Sequence, residues 1–182
     1  FEAHVRRLHM PFFFVAGNHD VSNATQELYW KKRFGQRYYS FMYRKVLFLV
    51  LNSDDPPQKG GGFGGEQIEW ARKVITANKN ARWTFVMFHR PLWVDNESSW
   101  LQVEKLLFGR NYTVFVGHEH AYQKFIRNGM NYYQLATTGG ASDLRGVKHG
   151  EFDHFALISM KKDRPVIANI LIDGVLSDNL TN

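Results

Sequence analysis

The chain has 182 residues, 44% of them apolar and 22% charged, which suits one folded domain with a core and excludes a disordered segment. No apolar run approaches the ~18 residues of a membrane-spanning helix, and the absence of cysteine excludes disulfides, thiolate zinc sites and a cysteine nucleophile. The net charge of +6 favours anionic partners, yet the basic residues are scattered as Arg6-Arg7, Lys31-Lys32-Arg33, Arg72-Lys73 and Lys161-Lys162, which disfavours a nucleic-acid stripe.

The start has no charged stretch followed by an apolar one, so it does not read as a signal peptide. Phe1, Val5 and Leu8 fall on one helical face, and the expectation is a chain that begins inside a domain. Residues 11–16 (PFFFVA) predict a strand buried on both faces. Ser22 is the expected cap of a helix running to Phe34, with Gly35 as its stop. Residues 38–44 and 46–51 predict two strands around a tight turn. Residues 52–65 (NSDDPPQKGGGFGG) predict a mobile surface loop, long enough to cover a site. Residues 67–78 predict an amphipathic helix with Ile68, Ala71 and Ile75 on one stripe.

Further along, residues 83–88 (WTFVMF) predict a strand, 98–108 a helix turning Trp100, Val103 and Leu107 inward, and 113–116 a short strand. Residues 124–127, 132–136, 155–160 and 165–172 are strand-like, with a glycine-bounded loop over 139–150. Strands alternate with helices first and then dominate. That order is α/β, with a mixed sheet or two packed sheets.

Three polar clusters each stand where an apolar strand gives out: Gly17-Asn18-His19-Asp20, His89-Arg90-Pro91 and Gly117-His118-Glu119-His120. In α/β sheets the crevice beyond the carboxyl ends of strands is where ligands bind. Imidazole nitrogen and amide oxygen suit Zn, Fe and Mn, and the glycines before Asn18 and His118 let the backbone turn sharply there. Taken singly, each cluster is an ordinary turn with solvated side chains. Together at three strand ends they point to one site.

These residues resemble the calcineurin-like metallophosphoesterase superfamily, whose later motifs run GNHD, H-x-P and GHxH. The stretches YYSFMYRKVLFLVLNSDD, GEQIEWARKVI, FHRPLW and GHEHAYQK are similar to its purple acid phosphatase-like branch. The resemblance extends over nearly the whole chain. It implies an α/β four-layer αββα sandwich with two mixed sheets. It also implies two divalent or trivalent metal ions (Fe, Mn or Zn), bridged by an aspartate and a hydroxide that attacks a phosphate mono- or diester in line. By the same resemblance Asn18, His89 and His118 bind one metal and His120 the other. His19 acts as general acid on the leaving oxygen, with Asp20 orienting and charging its ring. Two cations clamping the attacking and leaving oxygens, and a histidine near its neutral-pH transition, meet the needs of that reaction. The branch leans towards secreted or periplasmic proteins.

The family's opening D-x-H and G-D-x-x motifs are not in this sequence. Glu2-Ala3-His4 has the shape of the first but stands on the expected helix of Phe1, Val5 and Leu8. The expectation is therefore the C-terminal portion of one catalytic domain, spanning residues 1–182, with its first two metal motifs upstream. The competing reading is a non-catalytic module with half a metal site, serving interaction or regulation. Among secondary candidates, Arg90 is placed to contact phosphate or solvent, Tyr122 reads as core or sheet surface ahead of pocket lining, and His154 as structural. Gly60–Gly65 lacks the Lys-Ser/Thr of a nucleotide loop. Asn23, Asn96, Asn111 and Asn179 open N-x-Ser/Thr sequons, meaningful only for a secreted eukaryotic protein.

Overall fold

Two sheets carry the chain in the computed structural model, which describes residues 2–56, 61–95 and 97–180. The larger holds β1 (Tyr39–Tyr43), β2 (Val46–Val50), β3 (Trp83–Met87), β4 (Tyr112–Val116), β5 (Gln123–Arg127) and β6 (Met130–Gln134). Its order is β1-β2-β3-β4-β6-β5. The central four strands are parallel, and β1 and β5 join the edges antiparallel, each through a hairpin. The smaller sheet is antiparallel, β7 (Phe155–Met160), β8 (Pro165–Ile170) and β9 (Val175–Ser177) in that order. β9 is too short to show a pattern and is an addition to the expected set.

The strands follow from their residues. β2 and β4 are apolar nearly throughout because both faces of the sheet are covered. On one face lie α4 (Gly65–Ala77) and α5 (Ser98–Leu106), whose Ile68, Ala71, Ile75, Trp100 and Val103 pack on Leu49, Val86, Phe88 and Val114. On the other, Phe85, Phe115 and Tyr133 meet Ile167 of the small sheet, with Ala156 and Met160 alongside. The described residues thus form a helix layer, the large sheet and the small sheet. Phe155, Leu157, Val166 and Val175 on the outer face of the small sheet are exposed, so no helix among the described residues packs there.

Four expectations are corrected. Residues 11–16 form no strand, and Phe12, Phe13 and Val15 are exposed. Pro11 has no N–H to donate, and the segment meets β1 through side chains instead of a ladder. Phe13 stacks on Phe41 with centroids 4.3 Å apart, and Tyr39 donates to the Phe14 carbonyl at 2.8 Å. Helix α1 spans only Glu2–Val5, with Leu8 exposed; Phe1 lies outside the described residues. Ser22 closes the short α2 (Asn18–Val21), and Asn23 caps α3 (Ala24–Phe34) by accepting from Gln26 N at 3.0 Å; Gly35 is the stop. The described ends of the 52–65 stretch are fixed in place. Asn52, Ser53, Asp54 and Phe63 are buried, and Gly62 N donates to Ser53 O at 2.7 Å; residues 57–60 lie outside the described residues.

Register places the site. Val50 pairs with Met87, Met87 with Phe115 and Val116 with Gln134, so β2, β3 and β4 end at one level. The residues that follow each strand emerge side by side.

Candidate metal centre

His89 leaves the end of β3, Asn18 opens α2, and His118 follows β4 by one glycine. Their polar atoms meet. Asn18 Oδ1 lies 2.8 Å from His89 Nε2, and His118 Nδ1 lies 3.1 Å from the same nitrogen, the two rings nearly perpendicular. Arg90 has only hydrogens to offer His118 Nε2, so a neutral His118 carries its proton on Nδ1 and donates it to His89 Nε2; three ligand-type atoms face one small volume, and an ion held there would take the place of that proton. Burial first, and then the charge of His118, lowers the His89 pKa to about 4. His118 is held below the usual imidazole range by burial and by Arg90. Both rings are thus neutral at pH 7, the form that binds a cation.

The backbone is built for this approach. A Cβ on Gly17 would lie 3.1–3.2 Å from three atoms of the His89 ring, so only glycine fits there without a shift. His118 and His120 adopt left-handed backbone, φ 76° and 55°. Non-glycine residues rarely hold that conformation, so the turn after β4 carries backbone strain at both positions. Gly117 N donates to the His89 carbonyl at 3.0 Å, tying the β3 and β4 turns together.

The other predicted residues stand apart from the cluster. His120 is exposed, and its Nδ1 is engaged with the Ala141 carbonyl. His19 is exposed and near enough for its charge to be felt by His89. Asp20 accepts from Gly17 N at 2.9 Å, capping α2, and makes no hydrogen bond to the His19 ring. Among the described residues no group of three or more His, Cys, Asp or Glu side chains is placed to hold an ion. The amide oxygen of Asn18 is what completes a three-donor set. The donors therefore fit one cation preferring mixed N and O ligands, and the described residues offer no bridging carboxylate for a second.

The sequence reading missed the shelf beneath Arg90. Asn52, Ser53, Asp54 and Gln67 are all buried. Gln67 Oε1 accepts from Asn52 N at 2.7 Å while its Nε2 donates to Asn52 O at 3.0 Å, locking the turn after β2 onto α4. Asp54 Oδ1 accepts from Arg90 Nε at 2.8 Å, and Ser53 Oγ accepts from Arg90 N at 3.0 Å. The available signal was position: NSDD follows β2 at the level where His89-Arg90 follows β3. Arg90 and His118 line an open cavity of about 600 Å³, walled by Pro91, Leu92, Gln123 and Gln134. His154, read as structural, is so: Nε2 accepts from Ala136 N at 3.1 Å, leaving Nδ1–H to donate to Asn169 Oδ1 at 2.8 Å. Tyr122 is buried, its hydroxyl on the Asp178 carbonyl.

A family model for calcineurin-like phosphoesterases matches residues 1–122. The serine/threonine-protein phosphatase CPPED1 of Pongo abelii is 32% identical over 94 residues, 48% of this chain and 30% of that protein. The Homo sapiens protein of the same name matches to the same extent. The matched stretch is thus under a third of those relatives' length. The purple acid phosphatase PPD1 from yellow lupin (Lupinus luteus) seeds shares the fold at TM-score 0.55 and 13% identity, over 80% of this chain and 33% of that one. GAP50, the anchor in the inner membrane complex of Plasmodium, does so at TM-score 0.56 and 14% identity, over 94% of this chain and 63% of that one.

Proposed function

The chain belongs to the calcineurin-like phosphoesterase family, and from that premise we propose that it hydrolyses phosphate esters at the Asn18–His89–His118 cluster. The observation that carries this reading is the meeting of three ligand-type atoms from three separate strand ends around one small volume. Asn18 Oδ1, His89 Nε2 and His118 Nδ1 would hold one divalent ion, with Fe, Mn and Zn all suited to such donors. An ion held there supplies Lewis acidity towards phosphoryl oxygens and lowers the pKa of water.

The remaining work falls to the protein. Gly17 lets the α2 turn lie against His89, so that His19, the residue after the Asn18 ligand, stands exposed at the rim. From there His19 gives a proton to the departing oxygen. The cavity beside His118 receives the rest of the ester. A second ion held by His120 would need carboxylates beyond those the described residues place there. If such carboxylates come from elsewhere, the two-ion site implied by the motif order is completed.

The test is p-nitrophenyl phosphate hydrolysis by the purified chain with Mn(II), read together with bound metal per chain. Expected are turnover lost on chelation, metal lost in His89→Ala, and metal kept but turnover lost in His19→Ala. Full activity in His19→Ala would remove that residue's role. A second reading rests on the same donor count. A chain with ligands for one ion alone is a binding module that keeps the phosphoesterase shape, and metal near one per chain without turnover would establish it.

A further inference from the structure

Arg90 is held more firmly than a surface arginine needs to be. Its Nε donates to Asp54 Oδ1 at 2.8 Å, and Asp54 is 2% exposed. Its backbone N–H is fixed on Ser53, and Gly61 lies against its stem, where a Cβ would come within 3.3 Å of Cδ. One terminal amine stands 3.2 Å from His118 Nε2, on the far side of that ring from the nitrogen facing His89. The other terminal amine makes no hydrogen bond to the described residues, and the side chain lines the cavity beside His118. A buried carboxylate is costly to keep unless it does something, and here it orients a fork of donors towards open space.

Resting on the phosphoesterase reading above, we propose that Arg90 binds the phosphate group of the substrate and that Asp54 is the residue that positions it. A guanidinium tied through Nε keeps both terminal amines on one edge, the geometry that meets two oxygens of a tetrahedral anion. The same cavity is lined by Leu92, by the amides of Gln123 and Gln134 and by the carboxylates of Asp95, Glu97 and Glu119, so Arg90 is the cation among its described lining residues, and the ester's organic part would share it.

The test is calorimetric titration of inorganic phosphate in the presence of a chelator, so that the outcome does not depend on bound metal. The wild-type chain is expected to bind phosphate, and Arg90→Gln to bind it about tenfold or more weakly. Arg90→Lys should recover only part of the loss, since a point charge cannot form the fork. Each variant is compared by thermal melting first. If Arg90→Gln fails to fold because Asp54 is stranded, Arg90→Gln with Asp54→Asn removes the stranded charge and is measured in its place. No binding by wild type, or equal binding after Arg90→Gln, overturns the proposal; full recovery by Arg90→Lys overturns the role of Asp54. Arg90-dependent binding in a chain that hydrolyses no ester would remove the proposed function and leave this inference standing.

Discussion

Gly17 shows how much of the centre depends on a residue with no side chain. A Cβ there would meet three atoms of the His89 ring at 3.1–3.2 Å, so the ring must give by a few tenths of an ångström and leave its present alignment with Asn18 and His118. Gly17→Ala is therefore expected to lower metal affinity by about tenfold, in the range of other residues that only orient a ligand. Its melting temperature should stay near wild type, because the ring shift happens in a half-buried turn. Isothermal titration with Zn(II) against a melting curve separates the two. At this scale the sequence was informative about identity and silent about orientation. Asn18, His89 and His118 were legible because each ends an apolar segment. That Asp20 caps its own helix, and that His120 faces Ala141, depends on local backbone angles that no spacing rule encodes.

Among the elements, α5 and the β5–β6 hairpin are joined by a part-buried ion pair. Glu104 Oε1 accepts from Arg127 Nε at 2.9 Å and from the Tyr132 hydroxyl at 2.6 Å. Burial alone would raise the Glu104 pKa, but the hydrogen bonds from Arg127 and Tyr132, with the Arg127 charge, bring it below the ordinary value. A depressed carboxyl adds stability that is complete above its unfolded pKa of about 4.3 and is lost as pH falls through the folded value. Glu104→Gln should cost about 1–2 kcal/mol at pH 7. The gap between variant and wild type should begin to narrow as pH falls below about 4.3 and vanish once it passes the folded value; thermal melts across the acid range read it directly. Helices α4 and α5 were legible because their apolar stripes repeat at helical spacing. Residues 11–16 misled because an apolar run reports a wish for burial and not the presence of neighbours to supply it. The cap at Asn23 went to Ser22 because two capping residues stand side by side, and only backbone geometry decides between them.

For the whole molecule, the apolar packing of the small sheet on the large one is tied at its edge by Asp178. Its carboxylate accepts from Lys124 Nζ at 2.7 Å and from the Tyr133 hydroxyl at 2.6 Å, while its carbonyl takes the Tyr122 hydroxyl. Three side chains of the β4–β6 region thus fasten the residue just after β9. Asp178→Ala is expected to cost about 2 kcal/mol, a fall in melting temperature of roughly 4–8 °C. Amide exchange should rise first in β8 and β9 if this tie holds the sheets together. The two-sheet plan was legible from the order of elements. The pairing of Asp178 with residues some fifty positions away was not, because it joins segments with no common pattern.

Packing around Phe88 also gives the protein an optical handle. Trp93 and Trp100 are both buried against that ring, at centroid distances of 6.0 and 5.0 Å, and Phe88 is the neighbour of His89 in the chain. Their emission belongs to the interior, at the blue end of the tryptophan range, and moves to longer wavelength when water reaches them. A paramagnetic ion arriving at the strand ends would dim that blue edge before it touched the half-exposed Trp70 on α4. One fluorescence titration therefore distinguishes an ion that occupies the centre from one that collects on the surface, with no label attached.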